Sequence, residues 1–121
     1  MNWYKQFSFP WIAITDFEAS LKFYRDDLEF ELLNIDKNET WAEFKLDNGK
    51  QIAIHKVNMI NASPNGALVF EVENINQTEL WLRGKGIKLQ EKKMVSDQIK
   101  VGLFTDPDNN MIQITEKIEK E

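Results

Sequence analysis

The spacing of hydrophobic and polar positions along the first half of the chain predicts a strand, a helix and three more strands. In FPWIAIT, Ile12 and Ile14 lie on one face of a predicted strand, and Asp16 follows it as a helix cap. A helical stripe with spacings of four, three and four comes next, at Phe17, Leu21, Tyr24 and Leu28. FELLNID, TWAEFKL and KQIAIHKV then predict strands, with the hairpin signal DNG between the last two.

The second half repeats this order. ALVFEVEN predicts a strand in which Phe70 and Val72 share a face, and Asn76 with Glu79 resembles a capping box. The helix that follows is expected to end at GKG. It carries Ile75, Thr78, Trp81 and Leu82. IKLQEKKM, KVGLFTD and NMIQITEKI predict three further strands.

The two halves align by position. A shift of 58 residues pairs Asp16 with Asn74, and a shift of 60 pairs Ile54 with Ile114. We therefore predict an α+β fold in one domain over residues 1–121, with repeated βαβββ modules at about 5–58 and 64–118. Each sheet is expected to cover a helix with one face. The two remaining faces, curved by strand twist, are expected to form an open eight-stranded cleft.

Charge and composition narrow the functional classes. The net charge of −5 argues against a nucleic-acid partner, because neutralising phosphates needs a basic surface. The absence of cysteine excludes disulfides, Cys-ligated metals and thiol nucleophiles. The aromatic N-terminal segment is interrupted by Pro10 and lacks the continuous apolar stretch of a signal peptide or membrane span. We expect a cytoplasmic protein with no membrane partner.

Three segments resemble one family. DFEASLKFYRDDLEFEL, VFEVENINQTELWLRGKGI and FTDPDNNMIQI are similar to the opening helix, the second strand–helix unit and the closing hairpin of the vicinal oxygen chelate superfamily. This superfamily includes glyoxalase I, bleomycin-resistance proteins and extradiol dioxygenases. The resemblance implies paired βαβββ modules, a cleft and usually a homodimer. In the superfamily's enzymes it also implies a divalent metal that polarises substrate oxygens.

The resemblance locates four metal-ligand positions, on the first and last strands of each module. Here they hold Phe9, Ala53, Ala67 and Gln113. Alanine and phenylalanine have no donor atom, and one neutral amide does not offset the dehydration of a dication. A glutamate at position 113 would have been a ligand. We therefore predict that the metal site is absent and that the protein uses no cofactor.

Strand parity selects the residues expected in the cleft. The candidate ligand-binding residues are Phe9, Trp11, Trp41, Glu43, His55, Leu103 and Gln113. An apolar, aromatic surface with a few polar groups is typical of small-molecule sites. Each residue also has a structural interpretation: Phe9 and Trp11 can fill space, Trp41 can pack against a dimer partner, and Glu43 can lie at a rim. His55 can be a hydrogen-bonded structural residue, and Gln113 can close a cross-strand network.

Three functional hypotheses follow. The first is a metal-free binding protein, similar to the bleomycin-resistance branch, that holds an aromatic or cationic ligand by stacking and cation–π attraction. The second is a glyoxalase-like lyase or isomerase in which His55 and Glu43 serve as acid and base. The third is a dimeric interaction or regulatory module.

Overall fold

The protein consists of two modules with the same order of elements. The computed structural model describes residues 5–59 and 67–119. The first module comprises β1 (Trp11–Ile14), α1 (Phe17–Leu21), a π-helical continuation (Lys22–Asp27), β2 (Glu31–Ile35), β3 (Trp41–Lys45) and β4 (Gln51–Lys56). The second comprises β5 (Ala67–Glu71), α2 (Ile75–Gly84), β6 (Glu91–Ser96), β7 (Ile99–Thr105) and β8 (Met111–Lys117). The α+β fold with two βαβββ modules is confirmed.

Each module has its own four-stranded sheet, and the chain divides into compact units at Met1–Asn61 and Ala62–Glu121. The strand orders are β1-β4-β3-β2 and β5-β8-β7-β6. The first and last strands of each module pair in parallel, and the other pairs are antiparallel. Trp11 lies beside Ala53 in the first sheet, and Val69 lies beside Gln113 in the second. These pairs correspond under the shifts of 58 and 60 residues.

The core of the first module lies between its helix and one face of its sheet. Phe17 and Tyr24 are buried, and the Tyr24 ring centroid lies 6.0 Å from that of Phe44. Ile52 and Ile54, which share the Phe44 face, are also buried. Burying each such side chain contributes roughly 1.5–3 kcal/mol to folding. The opposite face of this sheet is therefore turned away from the helix, and we call it the helix-free face.

The second module is built in the same way. Ile75 and Leu82 of α2 are buried, as are Phe104, Ile112 and Ile114 of the sheet. The carboxylate of Glu116, on the same face of β8, accepts a hydrogen bond of 2.8 Å from the backbone N–H of Ile75. The helix-free face of the second sheet therefore carries the alternate residues of β7 and β8.

Both helices begin at a side-chain cap. Asp16 Oδ1 accepts a hydrogen bond from the Ala19 backbone N–H at 3.0 Å, as predicted. In α2 the cap is Asn74, whose Oδ1 accepts from Gln77 N–H at 2.9 Å. Asp16 and Asn74 are the residues that the 58-residue shift pairs, so the repeat locates both helix starts.

The predicted capping box at Asn76 and Glu79 is wrong. Asn76 lies inside the first turn, where its side-chain oxygen accepts hydrogen bonds of 3.2 Å from the ammonium groups of Lys92 and Lys100. Glu79 accepts from Lys92 at 2.7 Å, and this hydrogen bond is the main reason that the pKa of Glu79 is lowered. The two side chains thus join α2 to the sheet.

Trp81 lies outside the buried face of α2. Its side chain is 43% exposed, and the Lys85 ammonium lies 5.1 Å from its ring centroid. The buried stripe of this helix consists of Ile75 and Leu82, seven residues apart, which leaves Trp81 on the flank.

No helix among residues 5–59 and 67–119 is long and apolar enough to cross a membrane.

The DPDNN segment forms the tight turn between β7 and β8. Asp106 is 4% exposed, and its Oδ1 accepts hydrogen bonds from the backbone N–H groups of Asp108 and Asn110 at 2.9 and 2.8 Å. Asn109 has a φ of +67°, a conformation that asparagine tolerates better than most residues. This turn fixes the hairpin that carries Leu103 and Gln113.

Candidate functional site

The helix-free face of the first sheet carries four of the predicted site residues. Trp41 lies beside His55 and Glu43 beside Ala53 in the β3–β4 pairing, while Trp11 lies beside Ala53 from β1. Paired residues of neighbouring strands project to the same face, and the alternate positions project to the other. The side chains of Trp11, Trp41, Glu43 and His55 are therefore close neighbours.

Aromatic rings surround the imidazole on this face. The His55 ring centroid lies 4.9 Å from that of Trp11 at an interplanar angle of 89°, and 5.5 Å from that of Trp41 at 62°. Phe9, which precedes β1, extends the cluster because its ring centroid lies 6.2 Å from that of Trp41. These separations and tilted geometries are those that aromatic pairs prefer. We call Phe9, Trp11, Trp41 and His55 the aromatic cluster.

Glu43 is bound to this cluster through Trp41. Its Oε2 accepts a hydrogen bond of 2.8 Å from the indole Nε1–H of Trp41, and its Oε1 accepts one of 3.2 Å from the side-chain amide of Asn34. Both carboxylate oxygens are therefore engaged. Among the described residues, neither oxygen of Glu43 is hydrogen-bonded to His55. The carboxylate adds negative charge at the margin of the aromatic cluster.

His55 is oriented by the chain that enters β3. Its Nδ1 lies 3.3 Å from the carbonyl oxygen of Thr40, which also accepts the backbone N–H of Lys56 at 2.7 Å. A carbonyl oxygen can only accept, so this contact is a hydrogen bond when Nδ1 carries the hydrogen. The imidazole is half-buried.

Thr40 is in turn held by Asp36. The Asp36 carboxylate accepts from the Thr40 backbone N–H at 2.7 Å, the Thr40 hydroxyl at 2.6 Å and the Trp41 backbone N–H at 3.1 Å. Hydrogen bonding from the Thr40 hydroxyl, followed by that from its backbone, lowers the pKa of Asp36. The predicted site residues did not include Asn34, Asp36 and Thr40. The turn-forming composition of IDKNET was the available signal.

The other two predicted site residues are neighbours on the second sheet. Gln113 lies between Val69 of β5 and Leu103 of β7 on the helix-free face. Its side-chain Nε2 donates a hydrogen bond of 3.1 Å to the hydroxyl of Thr115, two residues along the same strand. Leu103 is half-buried, whereas Val69 is exposed. The surface around Gln113 is therefore apolar on both sides.

The positions that correspond to the superfamily's metal ligands do not fit a divalent ion. Ala53 is fully buried, and its backbone N–H donates to the carbonyl of Pro10 at 3.1 Å. Phe9 and Ala67 also lack donor atoms, which leaves the amide of Gln113. Within residues 5–59 and 67–119 there is no group of three or more His, Cys, Asp or Glu side chains that could hold a metal ion. Metal independence remains a prediction for solution tests.

Comparison with known proteins identifies the family. A family profile described as "Glyoxalase-like domain" matches residues 7–119. The protein YraH of Bacillus subtilis (strain 168), itself described as uncharacterized, is 25% identical and aligns with 85% of this chain and 91% of its own length.

Two solved structures have the same fold. The antibiotic binding protein TnmS3 from Streptomyces sp. CB03234 superposes with a TM-score of 0.78 and 17% identity, covering 97% of this chain and 99% of its own. The lactoylglutathione lyase of Agrobacterium tumefaciens superposes with a TM-score of 0.75 and 13% identity, covering 93% of each chain. At these identities the likeness concerns the fold alone. With the profile match over nearly its whole length, the chain belongs to the glyoxalase-like domain family of the vicinal oxygen chelate superfamily.

Proposed function

We propose that this protein is a metal-independent small-molecule binding protein that holds an aromatic or cationic ligand against the aromatic cluster. The observation that carries the proposal is the packing of Trp11 and Trp41 around His55, with the Glu43 carboxylate beside them. Indole rings attract planar molecules by stacking and cations by cation–π interaction. A net charge of −5 also favours cationic ligands over anionic ones.

The proposal also covers two residues of the second sheet and the oligomeric state of the protein. Leu103 and Gln113 are proposed to contact ligand through an apolar surface and an amide that can still accept a hydrogen bond. A homodimer in the cytoplasm is proposed from the superfamily resemblance and from the cysteine-free composition.

The related folds leave binding and catalysis as alternatives, because one is an antibiotic binding protein and the other a lyase. The residues favour binding. Three of the four metal-ligand positions lack a donor atom, and the two oxygens of Glu43 already accept hydrogen bonds from Trp41 and Asn34. The lyase or isomerase alternative uses His55 and Glu43 as acid and base, and among the described residues these two side chains share no hydrogen bond.

Tryptophan fluorescence tests the proposal directly. The protein is titrated with planar aromatic cations, neutral aromatic compounds and aromatic anions. Trp11→Ala and Trp41→Ala are compared with Trp81→Ala, whose indole lies on the flank of α2. We expect saturable quenching by an aromatic compound in the native protein and in Trp81→Ala. Removing Trp11 or Trp41 should weaken binding about ten-fold or more, since stacking contributes roughly 1–3 kcal/mol.

Two results would contradict the binding proposal. Quenching that persists in Trp11→Ala and Trp41→Ala but disappears in Trp81→Ala would locate the ligand elsewhere. Turnover of a bound compound that is abolished by His55→Ala would assign the site to the lyase or isomerase alternative.

A further inference from the structure

A backbone carbonyl faces one nitrogen of the His55 ring. Nδ1 faces the Thr40 carbonyl at 3.3 Å, which favours the neutral form with hydrogen on Nδ1 over the form with hydrogen on Nε2. In the alternative form, the Nδ1 lone pair would face the lone pairs of the carbonyl oxygen. The favoured form leaves a lone pair on Nε2.

The turn between β2 and β3 fixes that carbonyl. Asp36 accepts hydrogen bonds from both the backbone and the hydroxyl of Thr40, and the Lys56 N–H binds the same carbonyl from β4. Thr40 is thus held from the turn and from the neighbouring strand. Asp36 acts on the imidazole through Thr40, so it is a positioning residue.

The other ring nitrogen, Nε2, is open to water or to a ligand. None of the described residues is hydrogen-bonded to Nε2, and the ring is half-buried between the two indoles, which have no acceptor atom. Nε2 is accessible to water. A cationic ligand that donates an N–H to it gains affinity, because a charge-assisted hydrogen bond is stronger than the neutral one that water makes.

We infer that His55 is held as a hydrogen-bond acceptor, and that the site therefore selects aromatic cations that carry an N–H donor over aromatic quaternary ammonium ions. This inference rests on the proposed function. Both classes of cation can approach the indoles. Only the first can also donate a charge-assisted hydrogen bond to Nε2, which corresponds to a preference of about ten-fold or more.

Protonation of His55 should abolish this preference. The protonated ring donates from both nitrogens and repels a cation. The charged side chains that share its face are Glu43 and Lys45 of β3 and Glu31 of β2, while β1 contributes Trp11 and Ala13 and β4 contributes Gln51 and Ala53. Asp36 lies beyond Thr40 in the turn.

The first test uses the fact that the chain contains a single histidine, so its imidazole NMR signals need no assignment. In ¹⁵N-labelled protein, at a pH where the ring is neutral, we expect Nδ1 to carry the hydrogen. Asp36→Ala should shift the ring toward a mixture of the two neutral forms, whereas Asp47→Ala, in the next turn, should not. Hydrogen on Nε2 in the native protein would overturn the inference.

The second test compares two aromatic monocations of similar size. Benzamidinium carries N–H donors, and trimethylphenylammonium carries none. We expect benzamidinium to bind about ten-fold more tightly or better, with the preference lost in His55→Phe, which keeps an aromatic ring and removes the acceptor. The preference should also disappear when the ring is protonated, as followed by its own NMR signal.

The outcomes separate this inference from the proposed function. Equal or tighter binding of trimethylphenylammonium by the native protein would overturn the selection of N–H donors and leave aromatic-cation binding intact. A preference that survives in His55→Phe would overturn the role of His55. Failure of both probes to bind at millimolar concentration would overturn both the inference and the cationic form of the proposed function.

Discussion

Ser20 is a polar side chain buried in the core of the first module. It lies in α1 with no exposed surface, and among the described residues its hydroxyl has no hydrogen-bond partner. Burying an unpaired hydroxyl costs about 1–3 kcal/mol. Alanine would remove the hydroxyl and is also a better helix former. We expect Ser20→Ala to raise the free energy of unfolding by about 1 kcal/mol, as measured by urea denaturation.

Ser8→Ala is the matched control, because Ser8 is exposed ahead of β1. Its effect should stay within about 0.5 kcal/mol, as for most surface substitutions. A loss of stability in Ser20→Ala would show that the buried hydroxyl makes a favourable interaction, for example with an internal water.

At the residue scale, strand parity predicted which side chains share a face. Because side chains alternate with a period of two, the positions of Ile52 and Ile54 in the core place Ala53 and His55 on the opposite face. The contact of His55 with Thr40 could not be predicted in this way. The contact depends on the conformation of the turn that positions the Thr40 carbonyl, and Thr40 lies fifteen residues before His55 in the chain.

The turn between β2 and β3 positions Thr40 against His55, and one residue of this turn adopts an unfavourable backbone conformation. Glu39 has a φ of +55°, and its N–H donates to the Asp36 carbonyl at 3.2 Å. A left-handed conformation costs a non-glycine residue roughly 1–2 kcal/mol. Replacing the residue with glycine removes this cost, but glycine has more conformational freedom to lose on folding, which offsets part of the gain. We therefore expect Glu39→Gly to stabilise the protein by about 0.5–1 kcal/mol in urea denaturation.

Lys37→Gly provides the control within the same turn. Lys37 has no positive φ, so glycine there adds freedom to the unfolded chain without relieving strain. It should lower stability by a few tenths of a kcal/mol to about 1 kcal/mol. If Glu39→Gly were as destabilising as Lys37→Gly, the left-handed conformation would not be the source of strain.

The helices show what pattern reasoning can and cannot predict at the scale of an element. The spacing from Phe17 to Leu28 predicted a helix, but the chain turns π-helical from Lys22 to Asp27, where the Leu28 N–H bonds the Phe23 carbonyl five residues back. Apolar spacing does not distinguish the two helix types closely enough over one turn. In α2 the cap is Asn74, the residue that the repeat pairs with Asp16, whereas the local motif predicted a cap at Asn76.

At the scale of the whole molecule, the repeat carried most of the fold prediction. The shifts of 58 and 60 residues relate Trp11 to Val69 and Ala53 to Gln113, and Trp11 lies beside Ala53 as Val69 lies beside Gln113. The site was less accessible to sequence reasoning. Parity put Trp41 and Glu43 on one face, but it could not show that the indole N–H and the carboxylate bind each other at 2.8 Å.

The positions that correspond to the superfamily's metal ligands are divided between the two modules. Phe9 and Ala53 belong to the first, and Ala67 and Gln113 to the second. A metal that binds the native state at about 100 times its Kd adds about 2.7 kcal/mol to stability. In a chain of 121 residues, this gain would raise the melting temperature by about 10 °C.

We expect no such rise with Zn²⁺, Ni²⁺, Mn²⁺ or, under anaerobic conditions, Fe²⁺, because three of the four positions have no donor atom. Differential scanning fluorimetry with and without EDTA measures this. Gln113→Glu is the informative variant, since it restores the superfamily's carboxylate at one position. A single carboxylate should still leave the melting temperature unchanged on metal addition. A saturable rise in the native protein that EDTA reverses would contradict metal independence.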